Sequence, residues 1–306
     1  MKLALAVTSI GMSVTGCMSR EDTVSPSKSQ TNSYGAFSDA QAVAVQGDTG
    51  DVMEPFISRD GEFLLFNTSN VAPHIASLQF ATRIGAQTFA NQGAIRGVNE
   101  SHALSGTPTM DRDRNLYFVS PRSYSRTLST IYTGRFTSGK VTGVHLVPGI
   151  SPRTPGVVDF DVEVSSDGAT LYVSVGHFDG GTAPTSSSLA IFDKAGNRFV
   201  PDRASADILH AVNVPGELTY AASISANGLE LFFTRANPAR GGEPAVYRAV
   251  RSRLRQPFGQ VERVAAITGF AEAPSISADG TTLYYHRLVG SHFEVAEVTR
   301  PRSETP

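Results

Sequence analysis

The sequence has no tryptophan, a single cysteine and no dense run of one charge, and each shortage removes a class of explanation. One cysteine in 306 residues rules out a disulfide framework. The 26 lysines and arginines are balanced by 28 aspartates and glutamates, for a formal net charge of -2. No basic stretch is dense enough to follow a phosphate backbone, so nucleic acid is not an expected partner. Phosphate-binding and dinucleotide-binding glycine loops are absent, as are His-Glu-x-x-His and Gly-x-Ser-x-Gly. The seven histidines are scattered without metal-ligand spacing, and no metal or cofactor is expected. The apolar run from Leu3 to Gly16 is too short to span a bilayer and has the length of a signal-peptide core.

What is abundant is aromatic residues in a repeat, with 17 Phe and 9 Tyr. One pattern recurs five times, beginning at Pro55, Pro108, Val162, Ala222 and Pro274. Its turn residues are Asp60, Asp113, Asp167, Asn227 and Asp279. A unit of about 50 residues indicates a propeller or a solenoid before any other architecture. Asp-Gly or Asn-Gly between apolar runs predicts a two-residue type I′ hairpin turn. The second unit, Asp113-Arg114-Asn115, is one residue shorter and needs another turn. After the turn, Leu64, Leu65 and Phe66 and their equivalents make a strand apolar on both faces, as a strand buried between packed sheets requires.

Further strands are expected at 129–136, 189–193, 245–251 and 293–298, and less clearly near 75–80. Fourth strands are expected at 94–99, 141–147, 208–214 and 261–267. The last unit lacks a fourth strand, and Gln41 to Gln46 supplies one from the other end of the chain. The expected fold is therefore all-β, a five-bladed propeller of four-stranded antiparallel blades closed by an N-terminal strand.

The Ser-x-Asp-Gly turn followed by a Leu-aromatic-aromatic strand resembles the WD-like repeat of TolB-type propellers, most closely over 246–285. That resemblance implies a propeller and an envelope-associated binding or scaffold role, although propellers host many activities. Val14-Thr15-Gly16-Cys17 resembles the bacterial lipobox, which implies lipidation of Cys17 and anchoring to a membrane. The organisation expected is a signal peptide and lipobox over 1–17, a flexible tether over 18–36, one propeller domain over 37–300 and a disordered tail over 301–306. The tether is rich in Ser, Thr and Asn and has a mean reach of ~23 Å. Met18 stands where a retention signal would place Asp, which favours the outer membrane, facing either periplasm or exterior.

Candidate site residues follow from the topology. The turn carboxylates are spread one to a blade and are expected to stabilise their own turns. Asp111-Arg112-Asp113-Arg114-Asn115 has the opening spacing of a calcium loop but lacks its later Gly and Glu. The five inner strands converge on the channel, where Glu54, Thr107, Asp161, Ala221 and Ala273 align, with Asp159, Glu217 and Glu272 nearby. Loops opening on the same face carry Arg122, Arg126, His177, Arg235, Arg240 and Arg287. An acidic mouth could bind a cation or a basic peptide, or act as acid and base on a glycan. The expectation drawn is a non-catalytic, lipid-tethered, monomeric module that binds a protein or peptide partner in the cell envelope. A glycan-active hydrolase or lyase is the alternative, and a purely structural module a third.

Overall fold

A computed structural model of the chain describes residues 34–47, 50–69 and 75–302. Cys17 and the expected signal peptide lie outside the described residues.

The repeat forms the blades. The first contains Met53–Ile57, Phe63–Asn67, Leu78–Arg83 and Thr88–Ala94. The second contains Gly106–Met110, Asn115–Val119, Ile131–Thr137 and Lys140–Leu146. The third contains Val157–Val164, Thr170–His177, Ser186–Ala195 and Arg198–Pro201. The fourth contains Leu218–Ile224, Glu230–Ala236, Ala245–Val250 and Gly259–Arg263. The fifth contains Ala271–Ile276, Thr282–Val289 and His292–Thr299. Within each blade these strands pair antiparallel with their neighbours. Each inner strand also contacts the inner strand of the next blade, and the fifth contacts the first, so the circle closes.

The turns differ from expectation. Asp60, Asp167, Asn227 and Asp279 do not adopt positive φ, and only the following glycine does, at +71° to +75°. Ser58 donates its amide to Phe63 O while Gly61 donates to Ser58 O, which makes a four-residue loop ending in a left-handed glycine. The Asp60 carboxylate accepts from Ser58 Oγ at 2.5 Å and from the Glu62 amide at 3.1 Å. The same pattern recurs at Ser165, Ser225 and Ser277. These local bonds explain why the loop is preferred over a type I′ turn, and they assign the Asx side chains to the turns. In the second blade Asp111 takes the serine's place, its carboxylate accepting from the Asn115 amide at 2.8 Å, and Arg114 takes the left-handed position with φ 61°.

Several outer strands are displaced. The first blade's third and fourth strands fall at Leu78–Arg83 and Thr88–Ala94. The third blade's fourth strand is Arg198–Pro201, and the strand expected at 208–214 does not form, a single helical turn at Ser205–Ile208 and further turns standing there. Closure also differs. Gln41–Ala42 pairs antiparallel with His292–Thr299 and completes the fifth blade, but Ala44–Gln46 then runs parallel to Thr88–Ala94 of the first. The terminal segment therefore clasps both sides of the seam. Tyr34 and Arg302, at the borders drawn for the tether and the tail, form an antiparallel bridge.

The core is divided by interface. Leu65 packs with Met110, Leu116 and Phe118 between the first and second blades, whereas Leu64 and Phe66 pack with Tyr284 and Val295 between the fifth and first. Tyr117 with Val162, Tyr172 with Phe233, and Phe232 with Tyr285 mark the remaining three interfaces. Two apolar faces on one strand thus serve two neighbours. Burying each such side chain contributes about 1.5–3 kcal/mol.

Candidate active site at the channel mouth

Every inner strand carries an irregularity at one level, between Met53 and Phe56, Gly106 and Thr109, Asp159 and Asp161, Tyr220 and Ser223, and Glu272 and Ser275. Bulges re-aim side chains and often flank sites. Four of the equivalent residues, Glu54, Thr107, Ala221 and Ala273, have φ of 48° to 52°, a left-handed conformation costly for residues with a Cβ. Each is held by its amide, which donates across the blade interface to a side chain on the neighbouring second strand. Thr107 donates to Asn67 Oδ1 at 3.1 Å, Ala221 to Ser174 Oγ at 3.1 Å, Ala273 to Thr234 Oγ1 at 3.0 Å and Glu54 to His286 Nδ1 at 3.2 Å. The second blade has Val119 at that position, and the residue it would hold, Asp161, is not left-handed.

A second ring lies one rung deeper. Ser275, Thr109, Glu163 and Ser223 accept the amides of Ile57, Val164, Ile224 and Ile276 of the next blade. Glu163 also accepts from Thr109 Oγ1 at 2.5 Å and pairs with Arg59 at 3.0 Å, which closes this level of the axis. Between the two rings remains a cavity of about 30 Å³ lined by residues of all five inner strands, including Glu54, Thr107, Asp161 and Ser275. That is the space of about one water molecule, so a larger ligand must sit above it, at the mouth.

Three of the carboxylates expected at the mouth meet there. Glu54, Asp161 and Glu272, from the first, third and fifth blades, lie close enough to interact electrostatically. Burial pushes the Glu54 carboxyl up to about 8, against the pull of His286 and with Asp161 and Glu272 adding repulsion. Burial likewise pushes Asp161 up to about 8, reinforced by Glu163 and Glu272. Glu272 is held on both oxygens: Oε1 accepts from the Tyr220 hydroxyl, and Oε2 lies 3.2 Å from His286 Nε2. Burial and the facing carboxylates raise the Tyr220 hydroxyl pKa, so it remains a donor. Phe160 packs on Tyr220 at 6.0 Å and on Phe178 at 5.7 Å, an aromatic wall beside the carboxylates.

The other candidates do not join this cluster. Asp159 is buried, with Oδ2 unpartnered, and burial alone raises it to about 7. Glu217 lies 3.3 Å from Arg235 Nε and accepts from Asn237 at 3.2 Å. Arg235 also donates to Val212 O at 2.7 Å and stacks on Phe233 and Tyr247. Arg122 is consumed by Glu100, Ser105, Ser120 and Val98 O. Arg287 pairs with Glu294 at 2.7 Å. Three arginines of the expected basic rim, Arg122, Arg235 and Arg287, are therefore neutralised by their own neighbours, a pairing that sequence spacing does not reveal. Among the described residues, no group of three or more potential ligands is arranged to hold a metal ion.

No family model matches the chain, and no curated protein matches it. Solved structures do. A glycoside hydrolase aligns with a TM-score of 0.59 at 12% identity, covering 88% of this chain and 94% of that one. An endo-arabinase from Bacteroides thetaiotaomicron aligns at 0.54 and 12% identity, covering 86% and 99%. The catalytic domain of an α-L-arabinofuranosidase from Coprinopsis cinerea aligns at 0.51 and 10% identity, covering 89% and 98%. At such identities the likeness establishes the β-propeller fold. It also corrects the functional expectation: the solved structures that share this fold include glycoside hydrolases, so the non-catalytic protein-binding or scaffold module is set aside. By fold and repeat, the chain is a β-propeller with a buried carboxylate cluster at the mouth of its axis.

Proposed function

We propose that the chain is a glycan-active hydrolase whose reacting groups are Glu54, Asp161 and Glu272. The observation that carries this reading is the meeting of three carboxyl side chains from the first, third and fifth blades at one end of the axis, two of them raised to about 8 and the third accepting two hydrogen bonds. Glycoside hydrolysis needs that contrast, a carboxylic acid that keeps its proton near neutral pH beside a carboxylate free to accept one. Glu54, more open to solvent than Asp161, is the general acid and protonates the glycosidic oxygen as the C–O bond breaks. Glu272 takes the proton of the attacking water, and burial keeps Glu54 protonated. Tyr220 and Phe160 offer ring surface to a sugar above the cavity.

The test is product release from a polysaccharide panel that includes arabinan and arabinoxylan, followed by chromatography. Wild type releases saccharides, and Glu54→Gln and Glu272→Gln each lower the rate by about 10²-fold or more. Full activity in both variants would reject the assignment.

We propose further that the body is tethered through lipid on Cys17 in the cell envelope, at the outer membrane, a reading supported by the apolar run that ends at Val14-Thr15-Gly16-Cys17. Labelled palmitate should enter the wild-type chain, and Cys17→Ala should move it to the soluble fraction. The affiliation of the blades with the TolB-type repeat is likewise a proposal, supported by the Ser-x-Asp-Gly turn and the apolar strand that follows it.

A further inference from the structure

Aligning the repeats places Asn67, Val119, Ser174, Thr234 and His286 in one column, the residue after Phe66, Phe118, Val173, Phe233 and Tyr285. Asn67, Ser174 and Thr234 do one thing at the mouth, accepting a left-handed residue's amide from the next blade. Asn67 spends its nitrogen locally, on Thr68 O at 2.9 Å. His286 does the same latching with Nδ1, but its ring has a second nitrogen on the far side, 3.2 Å from Glu272 Oε2. Among the described residues it is the one member of the column that touches a mouth carboxylate. The ring is fully buried and packs edge-on against Phe293, with centroids 5.5 Å apart. A nitrogen that accepts the Glu54 amide carries no hydrogen, so the neutral ring's hydrogen sits on Nε2, aimed at Glu272.

We propose that His286 is the positioning residue of this site, one neutral imidazole that fixes the Glu272 carboxylate through Nε2–H and the Glu54 backbone through Nδ1. Its catalytic meaning rests on the hydrolase reading above, while its tautomer and contacts do not. The groups facing it are Glu272 from its own blade, Glu54 from the first blade, and Asp51, which accepts the Phe293 amide at 2.9 Å and lies 3.8 Å from His292. Burial opposes a charge on the ring, but the hydrogen bond to Glu272 and the nearby carboxylates outweigh it and raise its pKa. A second proton can go only on Nδ1, where the Glu54 amide already donates. Protonation and the latch are therefore exclusive, so acid releases the Glu54 amide while Nε2–H still donates to Glu272.

The repeat supplies the discriminating variant. His286→Asn copies Asn67, which keeps the amide latch and removes the arm to Glu272. Nitrogen-15 NMR of the wild-type chain at pH 8 should show hydrogen on Nε2 and none on Nδ1. His286→Asn should stay folded and lose at least tenfold in kcat with KM changed less than twofold, and the acid limb of its pH profile should shift. In a crystal structure of the variant, the Glu272 carboxylate should leave its wild-type position. Hydrogen on Nδ1 at pH 8, or a variant with unchanged Glu272 position, kcat and pH profile, would overturn the proposal. Were the wild type inactive on every glycan, the hydrolase reading would fail while the tautomer and the Glu272 position still decided this one; if the variant failed to fold, the wild-type tautomer would decide it.

Discussion

At the scale of single residues, the site is held in a conformation that folding alone would not select. Glu54 combines a left-handed backbone, a buried carboxyl and two carboxylate neighbours, each unfavourable in isolation. The sign of its contribution to stability is definite. A carboxyl with pKa near 4 unfolded and about 8 folded leaves stability intact below pH 4, and that stability is lost as pH rises toward 8. Glu54→Gln and Asp161→Asn should therefore raise Tm above wild type at pH 9, by ~3–6 °C, with the gain vanishing near pH 4 in calorimetric scans. The turn aspartates act oppositely. Ser165 and backbone amides hold Asp167 below its ordinary value, so its contribution is present above about pH 4 and lost in acid. Glu54, Asp161 and Glu272 could be named from their place in the repeat because strand register is periodic. His286 and Tyr220 escaped notice because their importance lies in contacts across a blade interface, although the polar column containing His286 was there to be aligned.

At the scale of the element, the recurring geometry is a serine-anchored loop and a pair of interblade amide rings. Gly61 has φ +73° and nothing within 4 Å of an added Cβ, so Gly61→Ala isolates backbone strain and should cost ~1 kcal/mol. Gly149, at φ +94° with Phe199 O 1.9 Å from an added Cβ, should cost several-fold more as Gly149→Ala, in the same urea titration. Removing a latch leaves a buried amide unpaired, so Thr234→Val should cost ~1–3 kcal/mol by denaturation. The hairpins were legible because apolar strands flanked an Asx-Gly pair; the turn type was not, because the deciding bond is from a serine two residues earlier. The outer strands, such as Arg198–Pro201, were misplaced because they are short and half-exposed and carry little periodic signal.

At the scale of the whole molecule, the two ends of the chain are tied into the ring. Arg300 makes a two-pronged pair with Glu230, at 3.0 and 2.5 Å, and lies against the rings of Tyr34 and Phe37 at 3.8 and 4.7 Å. Arg248 also pairs with Glu230, at 2.6 Å, so Arg300→Ala leaves that carboxylate one cationic partner and should lower stability by ~1.5–3 kcal/mol in chemical denaturation. Closure from the far end of the chain was legible as a missing strand; that the segment would clasp two blades was not, because a three-residue parallel pairing leaves no pattern. The balanced charge and absent motifs turned expectation toward binding, since scattered carboxylates become chemistry only when a fold gathers them. The central claim is that this gathered cluster cleaves glycosidic bonds. Its most direct test is saccharide release by wild type and by the Glu54→Gln, Asp161→Asn and Glu272→Gln variants, with circular dichroism confirming their fold. The account predicts release by wild type and its near-complete loss in all three. Folded variants that retain wild-type rates, or a wild type that releases nothing from any glycan, would contradict it.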